Sequence, residues 1–140
     1  MTTERLRLER WINLHERTIS VVGAWAFIAG YVIAVIGGLW WPDNGGILAT
    51  LVILGLLVGI LNVTRKETTP YLIAAIALVL IGGTQVFTPL NLVADGLGER
   101  VNLVVRMMAI FTASAAIITA IRAGMHLALP GEDNSAGEDS

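Results

Sequence analysis

The chain has no cysteine, and only 14% of its 140 residues are charged. The absence of cysteine excludes disulfide bonds, thiolate catalysis and metal sites with Cys ligands. Soluble domains carry roughly 25% charged residues, whereas here 55% of the residues are hydrophobic. This balance argues against a soluble core and indicates a membrane protein.

Catalytic and nucleotide-binding motifs are also missing. The sequence contains no G-x-S-x-G, H-E-x-x-H, phosphate-loop or dinucleotide-binding pattern, so we expect neither an enzyme nor a cofactor. Two histidines, His15 and His126, have no carboxylate at ligand spacing, and we expect no metal site. With a formal net charge of −2, a nucleic-acid partner is not expected either.

Four apolar stretches fill most of the chain, and a transmembrane helix needs about 20 such residues. The fold class predicted is therefore all-α, an integral membrane protein with four transmembrane helices. Trp40 and Trp41 stand just before Pro42, a pattern typical of a helix leaving the bilayer, so both are predicted to anchor it. The four predicted spans are residues 19–41, 47–63, 71–87 and 101–129.

Residues 1–18 are predicted to form an amphipathic helix that precedes the spans. Leu8, Trp11 and Ile12 share one face of such a helix, as does His15, which suits a helix lying on the inner leaflet before the chain turns inward. The alternative is packing on the ends of its own bundle. The domains expected are the helix at 1–18, the membrane domain at 19–129 and a disordered acidic tail at 130–140.

Basic residues near the span ends predict the orientation. The first 18 residues carry four arginines, and Arg65 and Lys66 follow the second span, whereas the opposite side has Arg100, with Arg106 just inside. The positive-inside rule then places both termini in the cytoplasm of a multi-pass protein of the cell membrane.

Small residues recur at every fourth position of three spans. In lipid such stripes let helix backbones approach closely, either within one protomer or between protomers. The residues predicted to serve helix packing or an oligomer interface are Ala26, Gly30, Ala34, Gly38, Gly55, Gly59, Ala116, Ala120 and Gly124.

Arg106 and Arg122 are the only charges inside the fourth apolar stretch. They are sixteen residues, or about 24 Å, apart along a helix, so each is predicted to reach its own interface and anchor the span. The alternative for Arg106 is an ion pair or an anion-attracting vestibule formed with Asp95 or Glu99.

A polar stretch in the third span offers a candidate pore. Carbonyls and side chains of Gly82, Gly83, Thr84 and Gln85, together with Thr112 and Ser114 of the fourth span, would line it. The alternative is a hydrogen bond at a close helix crossing.

Two functions remain open at this stage. The first is a structural or assembly role, in which the protein contacts membrane lipids and forms a homo-oligomer or joins a larger membrane complex. It explains the absence of acidic residues from the spans. The alternative is an oligomeric channel or small-solute facilitator lined by the polar residues of spans three and four.

Overall fold

The computed structural model describes residues 2–61 and 68–129. These residues form five helices and no strand, which confirms the all-α prediction. The predicted acidic tail at 130–140 lies outside the described residues. In chain order the helices are α1 (Thr2–Trp40), α2 (Gly45–Leu61), α3 (Thr68–Gly83), a 3₁₀ helix (Thr88–Leu92) and α4 (Leu97–Ala128).

Two of these helices are long and apolar enough to cross a membrane. They are the 20-residue part Val21–Trp40 of α1 and the 32-residue helix α4. Helices α2 and α3 are apolar too, but they have 17 and 16 residues. The structure thus shows two candidate spans, where the sequence predicts four.

Helix α1 continues without a break through the point where the sequence predicts a turn. The first glycine of the chain is Gly23, and no proline precedes it, so nothing interrupts the backbone hydrogen bonds at residue 18. Leu8, Trp11 and Ile12 are 57–69% exposed. Residues 2–18 are thus the first part of the same helix as the first predicted span, and the turn predicted between them is not present.

Helix α4 is the centre of the bundle. It packs against α1, α2, α3 and the 3₁₀ helix, and α1 also packs against α2. Among the described residues, α3 contacts neither α1 nor α2. The result is a three-helix unit of α1, α2 and α4, and within the described ranges α3 packs against α4 alone among the long helices.

The core lies where α1, α2 and α4 meet. Phe111 of α4 is fully buried, and its ring centroid lies 5.8 Å from that of Phe27 and 5.5 Å from that of Tyr31, both on α1. A Cβ atom at Gly30 would collide with the Phe111 ring. A residue without a side chain is therefore needed where the large ring enters.

Asparagines close both connections at one end of the bundle, which we call the upper end and define by residues 41–44 and 84–96. The Asn44 side chain accepts hydrogen bonds from the backbone N–H groups of Gly46 (2.9 Å) and Ile47 (3.4 Å). Asn91 accepts one from Gly98 N–H (2.7 Å). Each side chain satisfies free donors in the first turn of the next helix.

Helix α3 ends at Gly83, four residues before the end of the predicted span. The Thr84 hydroxyl donates to the carbonyl oxygens of Leu80 (3.2 Å) and Ile81 (3.0 Å), and a turn then leads into the 3₁₀ helix. The apolar residues Val86 and Phe87 extend the hydrophobic run past the end of the helix.

Candidate functional site

A groove of about 680 Å³ lies between the upper halves of α3 and α4, beside the 3₁₀ helix. We call it the α3–α4 groove. Val79, Leu103, Ala109, Ile110 and Ala113 form its apolar part, and Gly82 and Gly83 form part of its α3 wall. Its polar lining consists of Thr84, Gln85, Thr88, Asn91, Glu99, Asn102 and Arg106.

One stripe of α4 supplies much of the groove. Glu99, Asn102, Arg106, Ala109 and Ala113 follow one another at intervals of three or four residues, which places them on one face of a helix. The stripe is polar near the upper end and apolar below Arg106. The groove is therefore amphipathic along its length.

Two asparagines of the groove hold the backbone around it. Asn102 accepts a hydrogen bond from Phe87 N–H (3.0 Å) through its Oδ1 and donates one to the Thr88 hydroxyl (3.2 Å) through its Nδ2. Asn91 is engaged with Gly98. Sequence reasoning missed both residues, although an Asn one position inside an apolar stretch was a signal for Asn102.

Three other polar side chains of the groove have no partner within the described part of the chain. Gln85, Glu99 and Arg106 are exposed, and their side chains take part in no hydrogen bond or ion pair there. The expected ion pair of Arg106 with Asp95 or Glu99 is not formed. Both signs of charge remain available to a ligand.

The candidate pore residues lie in two separate places. Gly82, Gly83, Thr84 and Gln85 line the α3–α4 groove, whereas Thr112 and Ser114 are buried in the core. The Thr112 hydroxyl lies 2.8 Å from the Tyr31 hydroxyl, and the Ser114 hydroxyl donates to its own helix at Ile110 O (2.9 Å). The described residues therefore do not bring these six residues to one channel.

The small residues predicted to serve helix contacts divide into two groups. Members on α1 and α2 are at internal crossings: a Cβ at Gly38 would lie 2.7 Å from Val104 Cα, and one at Gly59 would lie 2.6 Å from Ala115 O. Ala34 is fully buried. Ala120 and Gly124 of α4 are exposed, and a Cβ at Gly124 would meet no described atom within 4 Å. The buried members are Gly30, Ala34, Gly38, Gly55 and Gly59, and the partly buried ones are Ala26 and Ala116.

The predicted anchoring residues are all at the surface. Trp40 and Trp41 are 64% and 56% exposed at the upper end. Arg122 is exposed near the opposite, lower end, where its guanidinium Nη1 donates a hydrogen bond to the carbonyl oxygen of Ile60 (3.0 Å). Arg122 thus has a partner on α2, which the sequence did not predict.

No protein-family model, curated protein or solved structure matches this chain.

Proposed function

We propose that this protein is an integral membrane protein with four spans and a structural or assembly role. Large apolar side chains point outward from every long helix: Trp25 of α1, Ile53 of α2, Ile76 of α3 and Ile117 of α4 are each more than half exposed. Such surfaces are rare on soluble monomers, whereas lipid tails contact them favourably.

The short helices α2 and α3 fit this proposal with a modest adjustment of the bilayer. Their 17 and 16 residues give lengths of about 24–26 Å, against a hydrocarbon thickness of about 30 Å. Local thinning of the bilayer accommodates a difference of this size at fractions of a kcal/mol per Å. With the basic residues on the cytoplasmic side, the upper end faces outward and both termini face inward.

The assembly role is carried by one observation, the open small-residue stripe on the lower half of α4. Ala116 is partly buried, and Ala120 and Gly124 are exposed, so this stripe is not filled by a described helix of the same chain. Lipid tails fill such a flat groove less well than another helix does. A second copy or another subunit would pack there.

The stripe on α1, which the sequence also offers as an interface between protomers, is not available for that role. Gly30, Ala34 and Gly38 are buried against α4 and its neighbours. The substitution of Gly30 and Ala34 by Leu would therefore disrupt the fold of the protomer itself. The α4 stripe replaces it as the proposed contact.

Cross-linking of single cysteines tests this contact, because the natural chain has none. We expect a cysteine at Ala120 to form disulfide-linked dimers on mild oxidation in native membranes. The matched control is a cysteine at Val32, which is 51% exposed on α1 and lies outside the stripe. The Val32→Cys variant should remain monomeric under the same oxidation.

A second variant separates loss of contact from loss of fold. Replacing both Ala120 and Gly124 with Leu should abolish the oligomer in lipid nanodiscs while the melting temperature of the monomer stays unchanged. A wild-type protein that is already a single monomer, or dimers formed equally well at Val32, would contradict the assembly role. A protein that alkaline carbonate releases from membranes would contradict the spans.

A further inference from the structure

We infer that the α3–α4 groove binds a phospholipid whose head group carries both a phosphate and an amine cation. The inference rests on the proposed membrane location, and it concerns the outer leaflet. Its first support is shape. Along α4 the groove runs from Glu99 to Ala113, which is about 21 Å of helix and is of the order of one leaflet plus its head groups.

The charges of the groove indicate a zwitterionic head group. Its lining holds one acid, Glu99, and one base, Arg106, and neither side chain has a partner in the described part of the chain. They stand two helical turns apart on one face, about 10 Å along the axis. Arg106 can donate to phosphate oxygens in a bidentate manner, while the Glu99 carboxylate can accept from an ammonium group above it.

The apolar half of the groove suits an acyl chain below that head group. Val79 on α3 faces Ile110 and Ala113 on α4 across it. A Cβ at Gly82 would lie 2.5 Å from that of Ala109, so the two helices cross closely there. Beside this crossing, Gly83 has no described atom near its missing side chain, which leaves the groove open to the bilayer.

The polar wall of the groove is fixed before any ligand arrives. Asn102 joins α4 to the segment at Phe87 and Thr88, and Asn91 joins that segment to the start of α4. These hydrogen bonds do not use Glu99, Arg106 or the Gln85 side chain. A preorganised wall lowers the entropic cost of binding a head group.

Native mass spectrometry of the full chain in detergent, with added lipids, tests the assignment. The probes are a phosphatidylethanolamine, a phosphatidylglycerol of the same acyl chains, and free O-phosphoethanolamine, which has the head group without the chains. We expect the phosphatidylethanolamine adduct to dominate. Arg106→Gln and Glu99→Gln should each weaken it about tenfold, the scale of a lost charge-assisted hydrogen bond.

Two further comparisons separate the groove from the rest of the surface: the removal of a charge outside it, and the addition of a bulky side chain inside and outside it. Arg100→Gln removes an exposed arginine next to Glu99 that does not line the groove, and its binding should equal that of the wild type. Ala113→Trp should block the acyl chain and lower binding about as much as Arg106→Gln does. Val32→Trp, on the exposed surface of α1 outside the groove and outside the α4 stripe, should not.

Several results would overturn the inference without touching the proposed membrane role. They are equal binding of phosphatidylglycerol, unchanged binding by Glu99→Gln or Arg106→Gln, and displacement of the lipid by equimolar O-phosphoethanolamine. Each leaves carbonate resistance and cross-linking at Ala120 as they were. Conversely, a lipid adduct on a protein that does not cross-link would leave the groove assignment standing and remove the assembly role.

Discussion

The guanidinium of Arg122, on α4, donates a 3.0 Å hydrogen bond to the carbonyl oxygen of Ile60, the next-to-last residue of α2. The last four carbonyl groups of a helix have no hydrogen-bond partner within it. A cation near them is also attracted to the negative end of the helix dipole. Arg122 therefore connects the lower ends of two helices that run in the same direction.

Replacing Arg122 with Gln should loosen the last turn of α2. We expect a loss of about 1 kcal/mol, because the bond is charge-assisted but exposed. Hydrogen exchange of the Ile60 and Leu61 amides in nanodiscs measures it. Arg122→Lys should retain part of the protection, and Arg100→Gln should change nothing there. Exchange that is equal in wild type and Arg122→Gln would show that the hydrogen bond does not stabilise the turn.

The hydroxyl of Thr112 connects α1 to α4, and its backbone carbonyl accepts a 3.5 Å hydrogen bond from Tyr71 of α3. Thr112→Val keeps the shape and leaves the Tyr31 hydroxyl without this partner. Measured hydrogen bonds between membrane helices average about 0.6 kcal/mol and reach about 1.7, and we expect a loss within that range in unfolding by detergent denaturant.

Thr119→Val is the matched control for Thr112→Val. The Thr119 hydroxyl is equally buried, but it donates to Ala115 O of its own helix (2.9 Å), so its loss should cost less. A double-mutant cycle with Tyr31→Phe isolates the pair. A coupling energy of zero would mean that the 2.8 Å contact does not stabilise the fold.

The crossing of α2 and α4 depends on Gly55. A Cβ at this position would press on the carbonyl oxygen of Phe111 and lie 2.8 Å from Ser114 Cβ, so the backbones must separate. We expect Gly55→Ala to destabilise the protein by about 1–3 kcal/mol. Gly45→Ala, at the other end of α2 with open space around it, should be neutral. Equal stability of the two variants would contradict a close approach of the α2 and α4 backbones at Gly55.

The proposed orientation predicts which side of the membrane each connection faces. Single cysteines at Asn44 and Asp95, both exposed at the upper end, should react with an impermeant maleimide added to intact cells. A cysteine at Thr69, exposed at the start of α3, should react only after the cells are opened. Labelling of the Thr69→Cys variant from outside would contradict the proposed orientation. If the Asp95→Cys variant is not labelled from outside, the proposal that α3 and α4 span the membrane is wrong.

Much of the helical content could be predicted from the sequence, because long apolar runs leave the backbone no water to bond with. The points at which the helices begin and end are harder to predict. Residues 1–18 differ from the first span in composition, but composition indicates the surroundings of a helix and does not show where the helix ends. Because no Gly or Pro precedes Gly23, helix α1 continues from Thr2 to Trp40 without a break. At α3 the reverse holds, since the apolar residues Val86 and Phe87 follow Gly83 by three and four positions and extend the predicted span, while the helix ends at Gly83.

The stripes of small residues were visible in the sequence, but their partners were not. Spacing shows that two backbones can approach, and it does not show which two. The spacing predicts that Gly30 serves a contact either within one protomer or between protomers, and its partner is Phe111 of the same chain. That assignment depends on the central position of α4, which no local pattern encodes.

The sequence indicates several residues of the groove, but it does not show that they line one groove. Arg106, Glu99 and the stretch Gly82 to Gln85 were each singled out, but the ion pair and the pore expected of them need distances that only the fold supplies. The sequence does not predict the role of Asn102, because its side chain holds a segment fourteen residues earlier in the chain.

The dependence of α3 on α4 has a consequence for the order of events during synthesis. In the described residues α3 packs against α4 and contacts neither α1 nor α2. Since α3 precedes α4 in the chain, it leaves the ribosome before its partner helix has been made. Helices α1 and α2 can pair at once, whereas α3 has no helix to pack against until α4 is made. A nascent chain arrested before residue 97 should therefore hold a formed α1–α2 hairpin and a third helix with no fixed place beside it, and this is the stage at which a quality-control protease would find the chain most vulnerable.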